Sequence, residues 1–232
     1  MLEQSLRRRA LFAAGGAVAG SIAVAAAASP AAATPTPPTT PHAALRALLD
    51  GNRRFVAGHA RHPHQTVRRL HDVAAGQHPF AVLLGCADSR VSPELLFDQG
   101  IGDLFDDRVA GNIVDDLLLG SMEYAIEEFT PPLVVVLGHE RCGAVSATLN
   151  AMATGATPPG HIRTVVDALR PIVAPYAGAA DGVEQAVRAN VKAQVAAVLA
   201  GSAMIREKVA RGEMAVVGAR YDLDTGLVTV LS

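Results

Sequence analysis

The sequence predicts an α/β fold with a mainly parallel central sheet flanked by helices. Short apolar runs, most of them ending in glycine, are typical of strands that are buried on both faces of a sheet. Between them lie stretches with apolar residues at helical spacing, and strands that alternate with helices favour a parallel sheet. The predicted strands cover residues 80–85, 133–138, 214–218 and 227–231, and the predicted helices cover 115–129, 144–153, 162–169 and 183–199, with another near 45–56.

The composition is typical of one packed domain without a strong charge. The chain has 232 residues, of which 50% are hydrophobic, and its net charge is -2. This length suffices for a single domain with a sizeable core. The chain has no tryptophan and few other aromatic residues. It therefore lacks the basic surface and the stacking platform that nucleic acids require, and we expect no nucleic-acid partner.

Residues 1–33 have the character of an export signal. Three arginines at positions 7–9 form a basic start, and residues 10–28 form an apolar run without a charge. Small residues follow, as a signal peptidase requires. Because Ser5 precedes the arginines, the segment resembles a twin-arginine signal. We therefore expect an exported protein (secreted, periplasmic or at the cell surface) that meets the membrane only transiently. An uncleaved membrane anchor is the alternative.

The segment after the export signal reads as a linker. Residues 34–41 consist of proline and threonine and carry no charge, which is typical of an extended chain. No second linker of this kind follows. The folded domain is therefore expected to cover residues 42–232.

Three candidate metal ligands follow two of the predicted strands. Cys86 comes directly after the first strand, and His139 and Cys142 follow the second. Open α/β sheets place their sites at the carboxyl ends of strands. If the two strands are neighbours, they lie about 4.8 Å apart, which suits two sulfur atoms on one tetrahedral zinc ion. The sequence predicts one zinc ion per chain, held by Cys86, His139 and Cys142.

A disulfide between the two cysteines is the main alternative. An exported protein with two cysteines often pairs them. His139 favours zinc instead, because it lies three residues before Cys142 and a disulfide would give its imidazole no role.

The loop after Cys86 carries two charged residues that suit a catalytic zinc site. Three protein ligands leave a fourth position for water, whose pKa zinc lowers toward about 7, so that hydroxide forms at neutral pH. We expect Asp88 to accept a hydrogen bond from this hydroxide and Arg90 to hold Asp88 in place. The alternative is an ordinary surface ion pair, which would contribute little.

These residues are part of a longer series of motifs that resembles a known family. Cys86-Ala-Asp88-Ser-Arg90 together with His139-Glu-Arg-Cys142-Gly143 is similar to the paired signature of β-class carbonic anhydrases. The resemblance extends from about residue 42 to the C-terminus. Further motifs match in the same order, namely Gly51-Asn-Arg-Arg-Phe55, Phe97-Asp-Gln-Gly100, Arg108-Val-Ala-Gly-Asn112 and Leu119-Gly-Ser-Met-Glu-Tyr124.

The resemblance implies a β-carbonic anhydrase fold and the zinc-dependent, reversible hydration of carbon dioxide to bicarbonate and a proton. It also implies a homodimer or larger homo-oligomer with the active site at the subunit interface. Gln77 from the neighbouring chain would then hydrogen-bond the substrate, and the N–H of Gly143 would contact bicarbonate. Phe105 and Tyr124 would line the carbon dioxide pocket, although each is also compatible with a place in the core. In the inactive, closed state of some family members, Asp88 leaves Arg90 and binds zinc.

The sequence departs from the family pattern at two places. Leu83 stands where some members have a tryptophan that forms a second, inhibitory bicarbonate site with residues equivalent to Arg108 and Tyr221. We therefore expect weak or no inhibition by bicarbonate at that site. Asp106 and Asp107 stand in a strand that is usually apolar. Because adjacent residues point to opposite faces, at least one of them should face the interior. Either a cation compensates it, or the strand is exposed or distorted.

Carbon dioxide hydration is the function that these observations favour. A hydrolase of carbonyl sulfide or carbon disulfide would use the same fold and metal site. A non-catalytic relative that binds zinc or bicarbonate is a further alternative, which the retained Asp88 and Arg90 disfavour. A redox protein with a disulfide is the last.

Overall fold

The computed structural model describes residues 37–231, which contain one five-stranded sheet. In chain order the strands are β1 (Ala81–Gly85), β2 (Leu104–Arg108), β3 (Leu133–His139), β4 (Ala215–Tyr221) and β5 (Val228–Leu231). Their order across the sheet is β2-β1-β3-β4-β5. The first four strands run parallel, and β5 is antiparallel to β4. The predicted α/β fold with a mainly parallel sheet is therefore confirmed.

Helices connect the strands and cover both faces of the sheet. They are α1 (Pro41–Val56), α2 (Val67–Val73), α3 (Pro93–Leu96), α4 (Asp116–Phe129), α5 (Gly143–Thr154), α6 (Ile162–Val173), α7 (Gly182–Gly201) and α8 (Ala203–Ala210), with a short 3-10 helix at Ala174–Tyr176. None of the helices between residues 37 and 231 is long and apolar enough to cross a membrane. The predicted export signal and residues 34–36 of the predicted linker lie outside the described residues, whereas residues 37–40 form no helix or strand and Pro41 already begins α1.

The central strands β1 and β3 are buried along their whole length. On one face, Leu83 and Leu137 pack against α1 and α3. On the other face, Leu84 and Val136 pack against α4, α7 and α8. Burial on both faces explains why these strands appear in the sequence as continuous apolar runs without a polar side.

Two glycines in the strands leave room for Val191 of helix α7 against the sheet. A Cβ atom at Gly138 of β3 would lie 2.4 Å from Cγ2 of Val191, and one at Gly218 of β4 would lie 2.7 Å from Cγ1 of the same valine. Any side chain at either position would force the helix outward. These two contacts therefore limit the distance between α7 and this face of the sheet.

A single buried amide joins the first helix to the last strand. The side chain of Asn52 in α1 donates to the carbonyls of Leu96 (3.0 Å) and Gly226 (2.8 Å), and its oxygen accepts from the N–H of Val228 (2.8 Å). All three partners are main-chain groups, so this side chain replaces hydrogen bonds that the turn before β5 would otherwise make with water.

The structure differs from the predicted elements mainly at short or charged segments. Helices α2, α3 and α8 were not predicted, since α2 buries no residue and α3 has a single turn. Helix α6 continues past the predicted end at residue 169, because the buried Val173 anchors its last turn despite Pro171. Helix α1 begins at Pro41, where the side chain of Thr40 accepts a hydrogen bond from Ala43 N–H.

Candidate metal centre

The three predicted ligands come together at the carboxyl edge of the sheet. Cys86 directly follows β1, His139 is the last residue of the neighbouring β3, and Cys142 is the N-cap of α5. Their side-chain donor atoms all lie within 4.8 Å of one another, and all three residues are buried. Strand β3 extends one residue beyond its predicted end at 138, so the imidazole is carried by the sheet itself and not by the following turn.

The donor atoms of this cluster suit a metal ion. Nδ1 of His139 lies 2.9 Å from the carbonyl oxygen of Glu140, which leaves Nε2 buried without a hydrogen-bond partner. Buried polar atoms nearly always have a partner, and an orphaned imidazole nitrogen beside two sulfurs is what a metal site requires. Both cysteines are free. Two thiols and one imidazole form a ligand set typical of zinc.

Each of the two cysteine sulfurs shifts the pKa of the other. The Cys142 thiol and, more weakly, His139 and the Gly111 N–H hydrogen-bond the Cys86 sulfur, and these contacts lower the pKa of Cys86 although burial opposes them. The same contact with Cys86, together with burial, raises the pKa of Cys142. Two buried sulfurs in contact resist ionising together, and a bound cation would remove that cost.

Asp88 and Arg90 form a two-pronged ion pair beside the cluster. Nε and Nη2 of Arg90 donate to the two carboxylate oxygens at 2.9 and 2.8 Å, and the backbone N–H of Arg90 donates to Oδ1 at 2.9 Å. These hydrogen bonds from Arg90 hold the pKa of Asp88 well below its usual range. Oδ2 of Asp88 lies 3.9 Å from Nε2 of His139. The carboxylate is therefore ionised, oriented and next to the ligands.

Comparison with known proteins agrees with this geometry. The profile of the carbonic anhydrase family matches residues 81–228. Carbonic anhydrase 2 of Mycobacterium tuberculosis is 48% identical over 193 residues, which cover 82% of this chain and 92% of that protein. The β-carbonic anhydrase of Coccomyxa, solved with acetazolamide, has a TM-score of 0.64 and 32% identity, with 81% of this chain and 86% of that one covered.

The chain belongs to the β-carbonic anhydrase family. Among the similar structures are two tetrameric β-carbonic anhydrases from the ascomycete Sordaria macrospora, whose match has a TM-score of 0.64 and 25% identity and covers 81% of this chain and 96% of that one. The predicted family and its fold are thus confirmed.

In this carbonic anhydrase chain, Arg108 fixes the loop that carries Cys86 and Asp88. Its Nε donates to the carbonyl of Cys86 (3.1 Å) and its Nη2 to the carbonyl of Asp88 (2.7 Å). Leu83 is fully buried in the core, and Tyr221 is also buried there. The guanidinium already has main-chain partners, which agrees with the expectation of weak bicarbonate inhibition, although that expectation stays a prediction.

Of the remaining predicted site residues, Gly143 adjoins the metal cluster, whereas Gln77, Phe105 and Tyr124 lie on other parts of the chain. Gln77 precedes β1 at its amino end, whereas Cys86 follows the carboxyl end. Phe105 and Tyr124 contact each other, with ring centroids 6.4 Å apart, and Phe105 packs with the core that contains Val82. Tyr124 is 56% exposed, so the alternative of a core position does not hold for it within this chain. Gly143 opens α5 next to Cys142 and is exposed.

Asp106 and Asp107 lie on β2, an edge strand with regular pairing to β1. As predicted, they point to opposite faces. Asp107 is 6% exposed and accepts a hydrogen bond from Ser121 of α4 at 2.6 Å, whereas its Oδ2 has no partner. Asp106 points toward Glu94 of α3, and its Oδ1 is buried and unpartnered. The regular pairing shows that the strand is not distorted. Among the described residues neither acid forms an ion pair, and only the more distant charge of Arg108 acts favourably on Asp106.

Burial, followed by the nearby Glu94 carboxylate, raises the pKa of Asp106 to about 7. The folded protein therefore keeps this proton up to a higher pH than the unfolded chain, and stability falls as the pH rises from about 4 to 7. We expect Asp106→Asn to increase the free energy of unfolding at pH 8 by about 1–3 kcal/mol, and by less at pH 5. Urea unfolding at both pH values measures this, with the exposed Asp72→Asn as the control. A loss of stability at pH 8 would contradict the prediction and indicate a cation from outside the described chain.

Proposed function

We propose that this protein is a zinc enzyme that interconverts carbon dioxide and bicarbonate. The observation that carries the proposal is the buried Cys86–His139–Cys142 cluster, in which Nε2 of His139 has no partner, beside the ionised Asp88. Membership of the carbonic anhydrase family supports the same reaction.

Each of these residues has a distinct task in the proposed reaction. Cys86, His139 and Cys142 would hold one zinc ion per chain, and zinc at such a site supplies a Lewis acid that makes a nucleophile of water at neutral pH. The Asp88 carboxylate is held by Arg90 in its ionised form. It can therefore accept a hydrogen bond from the attacking water and orient its lone pair toward the substrate. The N–H of Gly143, at the exposed start of α5, is the proposed contact for bicarbonate.

The test is stopped-flow hydration of carbon dioxide by the zinc-loaded chain, with carbonyl sulfide and carbon disulfide hydrolysis measured on the same preparation. We expect hydration to be much the fastest of the three. If a sulfur substrate is turned over faster, the protein is a hydrolase on the same fold. If the chain holds zinc and turns over none of the three, it is a non-catalytic relative.

We further propose that the active site is completed by a second copy of the chain. Gln77 is at the far end of β1 from Cys86, so it would have to reach a metal centre in a neighbouring subunit. The exposed Tyr124 and the exposed Val67 and Leu70 of α2 leave apolar surface that a partner would cover. Related β-carbonic anhydrases from Sordaria macrospora are tetrameric, which supports a homodimer or larger homo-oligomer here.

A complementation experiment tests this arrangement. Gln77→Ala and Cys142→Ser should each be nearly inactive alone, because each lacks one part of every site. Unfolding and refolding the two together should restore about a quarter of the wild-type activity, since half of random dimers are mixed and each has one intact site. No recovery, with mixed oligomers present, would mean that Gln77 acts within its own chain or not at all.

Export by the twin-arginine route remains our proposal for the N-terminal segment. It rests on the arginines at positions 7–9 and the uncharged run that follows. Zinc and two free thiols assemble most easily in a reducing compartment, so export after folding would suit this site. We expect replacement of all three arginines by lysine to stop export of the folded protein. Unchanged export would indicate a route for unfolded chains.

A further inference from the structure

Two buried amides on α7 hold the loop that hydrogen-bonds a metal-ligand sulfur. Asn190 and Gln194 lie one helical turn apart, and their exposed fractions are 1% and 4%. The Nδ2 of Asn190 donates to the carbonyl of Gly111 at 2.8 Å. The backbone N–H of that same glycine points to Sγ of Cys86 at 3.4 Å. The amide on α7 and the sulfur at the metal centre are thus joined through one residue of the main chain.

Gln194 restrains the side chain of Asn190 and also binds the loop directly. Nε2 of Gln194 donates to Oδ1 of Asn190 at 2.9 Å, which turns the Nδ2 of Asn190 toward the loop. Oε1 of Gln194 accepts from the N–H of Val114 at 2.9 Å. The loop is therefore fastened at both Gly111 and Val114 by two side chains about 80 residues further along the chain.

The backbone conformation of residue 111 and its close neighbours favour glycine at this position. Its φ is +80°, and a Cβ atom there would lie 3.1 Å from Cδ1 of Leu169 and 3.3 Å from Cβ of Ala144. Its two peptide groups are free to rotate unless something binds them, because glycine restricts neither angle. The hydrogen bond from Asn190 supplies that restraint.

We propose that Asn190 is a positioning residue of the metal centre, which aims the Gly111 N–H at the Cys86 sulfur and so tunes that sulfur as a metal ligand. This rests on the zinc site proposed above. A hydrogen bond to a ligand sulfur stabilises its negative charge and fixes its direction. Gln194 supports the same function by holding Asn190.

The test uses metal binding and the spectrum of the cobalt-substituted protein. For Asn190→Ala we expect the dissociation constant for zinc, measured by chelator competition, to rise about 10–100-fold. The sulfur-to-cobalt charge-transfer band should move to longer wavelength, because a sulfur without its hydrogen bond gives up an electron more easily. Gln194→Met, which keeps the volume and loses both polar contacts, should shift both quantities in the same direction by less.

Asn52→Ala is the matched control. Asn52 is also 1% exposed, and its side chain also bonds main-chain groups, but these belong to Leu96, Gly226 and Val228 and not to the metal loop. It should lower thermal stability while leaving the zinc affinity and the cobalt band unchanged. The inference is overturned if Asn190→Ala moves neither quantity, or if Asn52→Ala moves both equally. A wild-type chain that binds neither metal would overturn the zinc site together with this inference.

Discussion

Cys142→Ser should give a folded protein that has lost most of its zinc affinity and nearly all carbon dioxide hydration. Cys142 is the N-cap of α5, and its side chain makes no capping hydrogen bond there. Serine is among the best N-cap residues, so the helix should start as before. Its hydroxyl does not ionise at neutral pH and is a much poorer zinc ligand than a thiolate.

The expected loss of activity exceeds the roughly 10–100-fold that follows removal of a hydrogen-bond partner of a metal ligand. Bound zinc, thermal unfolding and stopped-flow hydration should be measured on the same samples. Ser146→Ala, one turn further along α5, is the control and should retain zinc and activity. If Cys142→Ser holds one zinc per chain and keeps its rate, Cys142 is not a ligand and the proposed centre is wrong.

Asp88→Asn should retain zinc but lose about 10²–10⁴-fold in hydration rate, the range typical of a lost proton acceptor. The amide has nearly the same size, but it offers one acceptor oxygen and cannot form the charged, two-pronged pair with Arg90. Rates across pH, with zinc content in parallel, measure the effect. Near-wild-type rates with full zinc would mean that the pair merely stabilises its loop.

Arg90→Ala should cause a comparable loss for a different reason. Asp88, released from its partner, should turn to the metal as a fourth protein ligand, as in the closed state that the family resemblance implies. Its Oδ2 already lies 3.9 Å from Nε2 of His139. We expect Arg90→Ala to be inactive. Adding Asp88→Asn to Arg90→Ala should restore an open metal position, which exogenous imidazole can then occupy.

The chain offers a close control for these two variants. Arg211 donates through Nε and Nη2 to the two carboxylate oxygens of Glu213, two residues away, with the same pairing as Arg90 and Asp88. Both residues are about half exposed and lie on the loop before β4. Arg211→Ala and Glu213→Gln should leave zinc content and rate unchanged.

The metal cluster could be predicted because each ligand adjoins a strand that is visible in the sequence. Apart from His139 at the end of β3, strands β1 and β3 contain only apolar residues and glycine, and the strand order places them side by side. The sequence does not reveal the order of the strands across the sheet. The prediction of the metal cluster assumed that β1 and β3 are neighbours, and the structure shows that they are. Strand β2 could be recognised only from the family resemblance, because Asp106 and Asp107 interrupt the apolar run that marks the other strands.

The support of the Cys86 sulfur by α7 could not have been predicted. Asn190 and Gly111 are 79 residues apart, and no motif joins them. A lone asparagine in a helix normally reads as a surface residue. The one available signal was the pattern of α7, in which Asn190 and Gln194 share the spacing of the buried apolar residues. Polar residues on an apolar helix face indicate a buried partner but do not identify it.

The amide of Asn52 has a consequence for how the protein is made. Its partners at Gly226 and Val228 are synthesised some 170 residues after α1. Until they leave the ribosome, the helix has a buried polar group without its bonds and an apolar face without β5. Contacts so distant along the chain form late and slow the final step of folding. A nascent chain should therefore stay open to chaperones and proteases until β5 has been synthesised, and a truncation that removes β5 should leave even the first helix unprotected in hydrogen exchange.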